Sequence, residues 1–387
     1  MLAKPLKNMS QKKRADVLIV STSARALVES AVCSGYSLAV IDAFGDLETR
    51  QNSVFCEQVP LTKSGSFEVS KLKEKFEQCI DQYGHSLVGW VVGSGLEACG
   101  ELLEVLSKRL PLIANRAEVF ALCAQRNWMN NKATHLGLSC VPQCKGFPQI
   151  FKQSQTNGGS HITFQEGKFA EHTICETYLP GIAISHLFLA TNGQIKTVGI
   201  STQWHSVHDT QHPFSYGGCI NQSSLTDVER EHIEEWSLAL SVDLELQGLN
   251  NVDYLWCGKE IYFLELNPRP SASMSLYDSN HSNTLFNAHI HACQGQIVYS
   301  ASQPKSKAQA IIYAQDNFVL GEDFEWGAAI CDRPLVHRFR TGEPICSIIA
   351  QSDNAASTLS LLQYHIRNLL NRIKREREVC QALASIV

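Results

Sequence analysis

The pattern of apolar positions changes twice along the chain. Over the first third, short wholly apolar runs alternate with helical stretches: residues 16–20 (DVLIV), 38–42 (LAVID) and 87–92 (LVGWVV) read as strands, 24–33 and 96–109 as helices, and 112–115 as a closing strand. Strands that are apolar on both sides of the pleat belong to a parallel sheet covered by helices on both faces. Residues 118–136 carry one helical pattern, stopped at Gly137 and Val141-Pro142. The texture then turns to β at 149–153, 173–178, 184–190 and 195–203, with Asn192-Gly193 as a hairpin turn because both residues tolerate positive φ. Thr226-Asp227-Val228-Glu229 fits a capping box, opening a helix with Ile233, Trp236 and Leu240 on its apolar stripe and Gly248 as its stop. Strands at 252–256 and 261–266, a β-rich piece at 308–350 and a helix from about Ala355 complete the reading.

Composition narrows the class. A chain of 387 residues should form two or three lobes, and 44% hydrophobic with 18% charged residues excludes a largely disordered chain. The net charge of −5 offers no basic excess for nucleic acid or an anionic membrane. No apolar run reaches the roughly 18 residues of a membrane helix, and no signal-peptide core follows the lysines near the start. A soluble cytoplasmic protein is expected. The 14 cysteines contain no C-x2-C pair, so they read as buried thiols rather than zinc ligands. The basic stretch around Arg367, Arg372, Lys374, Arg375 and Arg377 reads as a solvated helix face.

Three motifs leave their chemistry open. Gly93-Ser94-Gly95-Leu96-Glu97-Ala98 fits G-x-G-x-x-A at a strand-to-helix junction: a tight turn, a dinucleotide fingerprint, or an anion or substrate site beside Glu97. It does not follow the first strand, and no acidic residue about twenty positions on would hold a ribose, which weakens the dinucleotide reading. Ser21-Thr22-Ser23 suits capping of the first helix, and Arg25 in its first turn opposes the helix dipole, so an anion should hold it there. Ser23, Arg25, Glu97 and Gln203 are therefore candidate substrate contacts. His205, His208 and His212, with Asp209, match no metal-site spacing and read as loop histidines.

The most informative segment is 251–274, NVDYLWCGKEIYFLELNPRPSASM. Asp253 lies on one strand and Glu265 and Asn267 on the next, the latter two sharing a face while Leu264 and Leu266 point into the core. Two carboxylates and an amide oxygen suit Mg²⁺, which takes few protein ligands and completes its shell with phosphate and water. Such polar groups in an apolar strand are costly unless used.

FLELNPRP, with an Asp twelve positions before its Glu, resembles the metal-binding strands of the ATP-grasp superfamily of carboxylate–amine ligases, which includes biotin carboxylase. The N-terminal GYSLAVIDAFGDLETR and the C-terminal IIYA and GEPICSIIA segments resemble a narrower group, the predicted ATP-dependent carboligases associated with one-carbon cofactor pathways of the methanopterin and methanofuran types. The resemblance implies an α/β and α+β fold. Its parts are a flexible 1–14, a Rossmann-like lobe at 15–115, an ATP-grasp domain at 116–295 with its lid at about 140–180, and a C-terminal β-rich lobe with a helix at 296–387.

It also implies roles. Lys132 and Lys152 look like the phosphate-contacting lysines, and 154–162 (SQTNGGSHI), with Ser154, Gly158, Gly159, Ser160 and His161, like the glycine loop over the phosphates. Glu176, Thr177, Tyr178 and Leu179 look like the hinge whose backbone reads adenine. Asp253, Glu265 and Asn267 would hold Mg²⁺ (or Mn²⁺), and Arg269 would stabilise an acyl phosphate or grip the acceptor carboxylate. The implied activity is ATP-dependent amide formation, with glutamate as a candidate acid, releasing ADP and phosphate. Small-molecule acid and amine are the expected partners, and a homodimer is compatible. A nucleotide-binding protein without catalysis and a dinucleotide-dependent oxidoreductase are the alternatives. Ala183 stands where many members carry an acidic residue near the ribose, and no biotin-attachment segment is visible, so carboxylase activity is not implied.

Overall fold

The computed structural model describes residues 14–62, 65–143, 146–153, 159, 162–165, 173–206, 212–278, 284–300 and 305–384. The first part comprises β1 (Val17–Ser21), α1 (Arg25–Cys33), β2 (Leu38–Asp42), α2 (Leu47–Gln51), β3 (Phe55–Gln58), α3 (Val69–Tyr83), β4 (Gly89–Val92) and α4 (Gly100–Ser107). Its strands form a parallel sheet in the order β3-β2-β1-β4. The apolar runs are explained by two cores: Leu18, Val20, Ala39, Ile41 and Trp90 face one side, Val17, Ile19, Leu38, Val40 and Val91 the other.

Some boundaries move for physical reasons. Residues 112–115 make only an isolated bridge, Leu112 to Trp90. The hydroxyls before α1 do not cap it, since the Asp42 carboxylate at the end of β2 accepts the Ala24 N–H at 2.6 Å. The helical pattern at 118–136 breaks into α5 (Ala117–Cys123) and α6 (Arg126–His135), which puts Arg126 at a helix start.

A three-stranded antiparallel sheet follows, β5 (Gln149–Gln153), β6 (Ile162–Thr163) and β7 (Thr173–Thr177), in the order β6-β5-β7. Then come β8 (Ile182–Thr191), β9 (Gln194–His205), β10 (Tyr216–Ile220), α7 (Asp227–Leu244), β11 (Gly248–Cys257), β12 (Glu260–Asn267), a 3₁₀ turn (Ala272–Leu276) and α8 (Leu285–Cys293). Asn192 and Gly193 both adopt positive φ, and Thr226 and Glu229 form the full capping box. Glu245 in the left-handed region ends α7, and Gly248 opens β11 instead of stopping the helix.

The remaining elements are β13 (Ser306–Tyr313), β14 (Phe318–Val319), β15 (Ile330–Cys331), β16 (Arg338–Phe339), β17 (Pro344–Ser352) and α9 (Ala355–Ala384). The C-terminal strands extend the central sheet, giving the order β12-β11-β8-β9-β10-β13-β17-β15. The basic stretch of α9 is less solvated than expected, because Arg372 lies over Phe324 and Arg377 over Phe318. The cysteines among the described residues are free thiols, but only Cys79, Cys219, Cys331 and Cys346 are buried as expected, while Cys33 and Cys175 are exposed and the others half-buried; no described helix is long and apolar enough to cross a membrane.

Two buried histidines tie these layers together. His289 Nδ1 accepts the Leu249 N–H at 2.9 Å while Nε2 donates to the Ile113 carbonyl at 3.0 Å. His186 lies between Ser237 and Thr197, whose hydroxyl is already committed to Glu234, so Nε2 is again the protonated nitrogen. Burial pushes their pKa values down to about 4 and about 3. Unfolded histidine binds its proton near 6.5, so these two contribute stability that is complete above that pH and is lost as pH falls toward 4. Buried Asp42 and Asp46, pushed up to about 7 and about 6, act in the opposite sense, so overall melting is an ambiguous readout. The expected result is residue-specific: ¹⁵N chemical shifts of both imidazoles remain those of the neutral Nε2–H form at pH 5.5. A midpoint near 6.5 for either ring would contradict the account.

Candidate active site

β11 and β12 pair antiparallel with Asp253 opposite Glu265 and Asn251 opposite Asn267. A register shift after Asp253 sets Phe263 against Tyr254, so Phe263 rather than Leu264 joins Leu266 in the core. Asp253 accepts from Asn251 (3.0 Å), Gln203 (3.3 Å) and Asn267 (3.2 Å), and Ser185 orients Asn251. Burial, and next the like charge of Glu265, push the Asp253 carboxyl up to about 7.

Asn267 also donates to Glu265 at 3.3 Å, while its amide oxygen accepts from Arg269. Its NH₂ thus faces both carboxylates, the arrangement that relieves two neighbouring anions, and offering its oxygen to a cation requires the amide to turn over. Among the described residues no group of three or more His, Cys, Asp or Glu is placed to hold a metal. Two carboxylates and an amide fit a hard cation that draws its other ligands from phosphate and water.

A second cluster lies beside this one. Glu176 on β7 is buried and meets Lys152 of β5 at 2.6 Å and Arg126 of α6 at 2.7 and 3.1 Å. Burial opposes its ionisation, yet the two cations hold its pKa down at about 2. Burial, and next the repulsion of Arg126, lower that of Lys152. Arg126 also approaches Glu265 at 3.8 Å, bridging β7 and the carboxylate strand.

Lys132, expected to contact phosphate, does not join this cluster. It pairs with Asp243 of α7 at 3.0 Å and lies over Trp128. Arg126 is the α6 cation that joins this cluster, and it is not among the residues singled out in the sequence. The sequence carried no sign of it, because 118–136 reads as one continuous helix with Arg126 in its interior, and only the break between α5 and α6 puts Arg126 at a helix start.

Of the residues expected to form the hinge, Glu176 belongs to this cluster. The Tyr178 N–H donates to the Pro148 carbonyl at 2.8 Å, and the Tyr178 ring packs with Phe164 and Phe214. Thr177 is buried and Leu179 follows the end of β7. Ser154, Gly158, Ser160 and His161 lie outside the described residues, as does His208. Gly159, at φ +77°, sits so close to Phe214 that an added Cβ would stand 1.9 Å from its carbonyl oxygen. His205 stacks edge-on against Phe214, with its pKa lowered by burial.

Of the candidate substrate contacts, Gln203 reaches Asp253, and Arg269 reaches Asn267 and Glu97. Arg25 is 2% exposed, and the anions that hold it are Asp332 at 2.6 Å and Glu29 at 2.7 Å. Ser23 only supplies its carbonyl to Ser21. The glycine turn is a tight turn. Gly93 makes room for Ser21, Ser94 bonds Thr22 at 2.5 Å, and α4 begins only at Gly100, so no helix start faces a pyrophosphate. This removes the basis of the dinucleotide-dependent reading.

Residues 140–273 match the ATP-grasp domain family. The fold is similar to that of biotin carboxylase from Campylobacter jejuni in its β,γ-ATP complex (12% identity, 91% of each chain covered, TM-score 0.67). It is also similar to the biotin carboxylase domain of Hydrogenobacter thermophilus 2-oxoglutarate carboxylase with MgADP, ADP and bicarbonate (12% identity, 90% of this chain and 89% of that one, TM-score 0.68). Staphylococcus aureus N5-carboxyaminoimidazole synthetase complexed with ADP is similar as well (16% identity, 92% and 98%, TM-score 0.65). At these identities the likeness is one of fold. No curated protein sequence matches the chain.

Proposed function

We propose a function from one premise: the chain belongs to the ATP-grasp superfamily, and its fold is related to that of the biotin-carboxylase-like enzymes. It is an ATP-dependent ligase that activates a carboxylate as an acyl phosphate and passes the acyl group to an amine. The observation that carries this reading is the bridge made by Arg126, with Lys152 beside it, between Glu176 and Glu265. Cations and carboxylates thus lie together, the combination that a nucleotide's outer phosphates and their counterion need.

Arg126 and Lys152 bind phosphate oxygens, while Asp253, Glu265 and Asn267 would hold Mg²⁺ or Mn²⁺, which would supply charge neutralisation to the phosphates. A carboxylate oxygen attacks the γ-phosphorus and ADP leaves; the amine nitrogen then attacks the acyl carbon, phosphate leaves with the bonding pair, and a proton passes to solvent. Arg269 offers its guanidinium to the acyl phosphate. The proposed division of the chain is a Rossmann-like lobe at 15–115, the ATP-grasp domain at 116–295 and a C-terminal lobe from 296.

The acid is proposed to be an amino acid such as glutamate, joined to an amine precursor of a one-carbon carrier. Bicarbonate is the second reading, favoured by its presence in the Hydrogenobacter structure. The test is ADP release with Mg²⁺ across amino acids and bicarbonate, with hydroxylamine trapping of the activated acid as a hydroxamate. ADP and phosphate are expected, and Glu265→Gln should abolish turnover with the fold intact. AMP as product, or full activity in that variant, would refute the assignment.

A further inference from the structure

We infer that Glu97, from the glycine turn of the N-terminal lobe, is a positioning residue that acts through Arg269 on the carboxylate strand; this rests on the ligase reading above. Glu97 Oε1 accepts from Arg269 Nε at 2.6 Å, and Arg269 Nη2 lies at the same distance. Glu97 Oε2 accepts the Gly95 N–H at 2.7 Å, and both residues are only 9% exposed.

The turn that carries Glu97 is rigid. Gly95, at φ +98°, sits where a Cβ would stand 2.2 Å from Thr22 Cγ2, and the Thr22 N–H donates to the Ser94 carbonyl at 2.8 Å. Arg269 is held on its other side by its bonds to the Pro270 carbonyl (3.1 Å) and Asn267 Oδ1 (3.2 Å). Since Asn267 touches Asp253 and Glu265, a continuous chain of bonds runs from Gly95 to the carboxylate pair. A pair that merely joined the lobes would end at Arg269. This one continues into the groups that do the chemistry, where an error of about 1 Å can cost about 100-fold in rate.

Glu97→Gln retains size and an acceptor but removes the countercharge of Arg269, and Glu97→Asp retains the charge with a shorter reach. The expected result for Glu97→Gln is a fall in kcat of about 100-fold, with the Kd of an MgATP analogue changed less than about threefold. Glu97→Asp should lie between it and wild type. A second readout needs no turnover: amide exchange of the Arg269 N–H, which donates to the Asn267 carbonyl at 2.8 Å, should accelerate in Glu97→Gln while exchange in β1–β3 stays unchanged. Turnover retained in Glu97→Gln overturns the inference. So does acceleration spread through both lobes with a matching loss of Tm, which is the signature of lobe adhesion alone. If Glu97→Gln does not fold, Glu97→Asp carries the same comparison. If wild type neither binds MgATP nor turns over, the ligase reading fails, and the exchange result still decides the linkage.

Discussion

Glu176→Gln is expected to destabilise the sheet of β5–β7 by about 3–5 kcal/mol, the usual cost of removing one partner of a buried ion pair. The change leaves Lys152 and Arg126 facing each other without the anion between them, and both are largely shielded from water. The effect has a definite pH dependence. Because Glu176 is held down at about 2 in the fold, its contribution is complete above pH 4.5 and is lost as pH falls from there toward 2. The stability gap between wild type and Glu176→Gln should therefore be wide at pH 7 and narrow steadily below pH 4.5. Urea titration followed by amide exchange in β5 and β7 reads it directly. Equal midpoints at pH 7 would mean that the pair is worth no more than a surface one.

Much of this architecture was legible in the sequence because it depends on local chemistry. The apolar runs of β1 and β2, the Asn192-Gly193 hairpin and the Thr226–Glu229 capping box need no knowledge of distant residues, and all three are present. So is the facing of Asp253 and Glu265, which a short connection between two strands nearly dictates. The helix α3 was readable as well, with Leu72, Phe76, Cys79 and Tyr83 buried along one stripe, but its polar surroundings hid it.

What escaped depends on distant partners. Arg25 stands in a helix's first turn already in the sequence pattern, whereas Arg126 reads as interior to one continuous helix. Only the fold reveals that Arg25 is neutralised by Asp332, over three hundred positions away in sequence, whereas Arg126 is placed between Glu176 and Glu265. Lys132 lies on the same helix as Arg126, and its local sequence gave no sign of the pairing with Asp243 of α7. Glu97 and Arg269 were each read as touching a substrate, and they touch one another.

The second large effect follows from this exchange of cations. Arg126→Met should weaken binding of an MgATP analogue by about 100-fold, roughly the 2–5 kcal/mol cost of removing one partner of a buried charge pair. Glu176 would still be held by Lys152, so the sheet should remain folded. Lys132→Met should leave affinity within about twofold, since that lysine pairs with Asp243 and lies over Trp128, apart from the Glu176 cluster. Calorimetric titration of the non-hydrolysable MgATP analogue into wild type and the two variants tests the account most directly. It predicts binding by wild type, near-complete loss in Arg126→Met and unchanged binding in Lys132→Met. No binding by wild type, or loss in Lys132→Met with Arg126→Met unaffected, would contradict it.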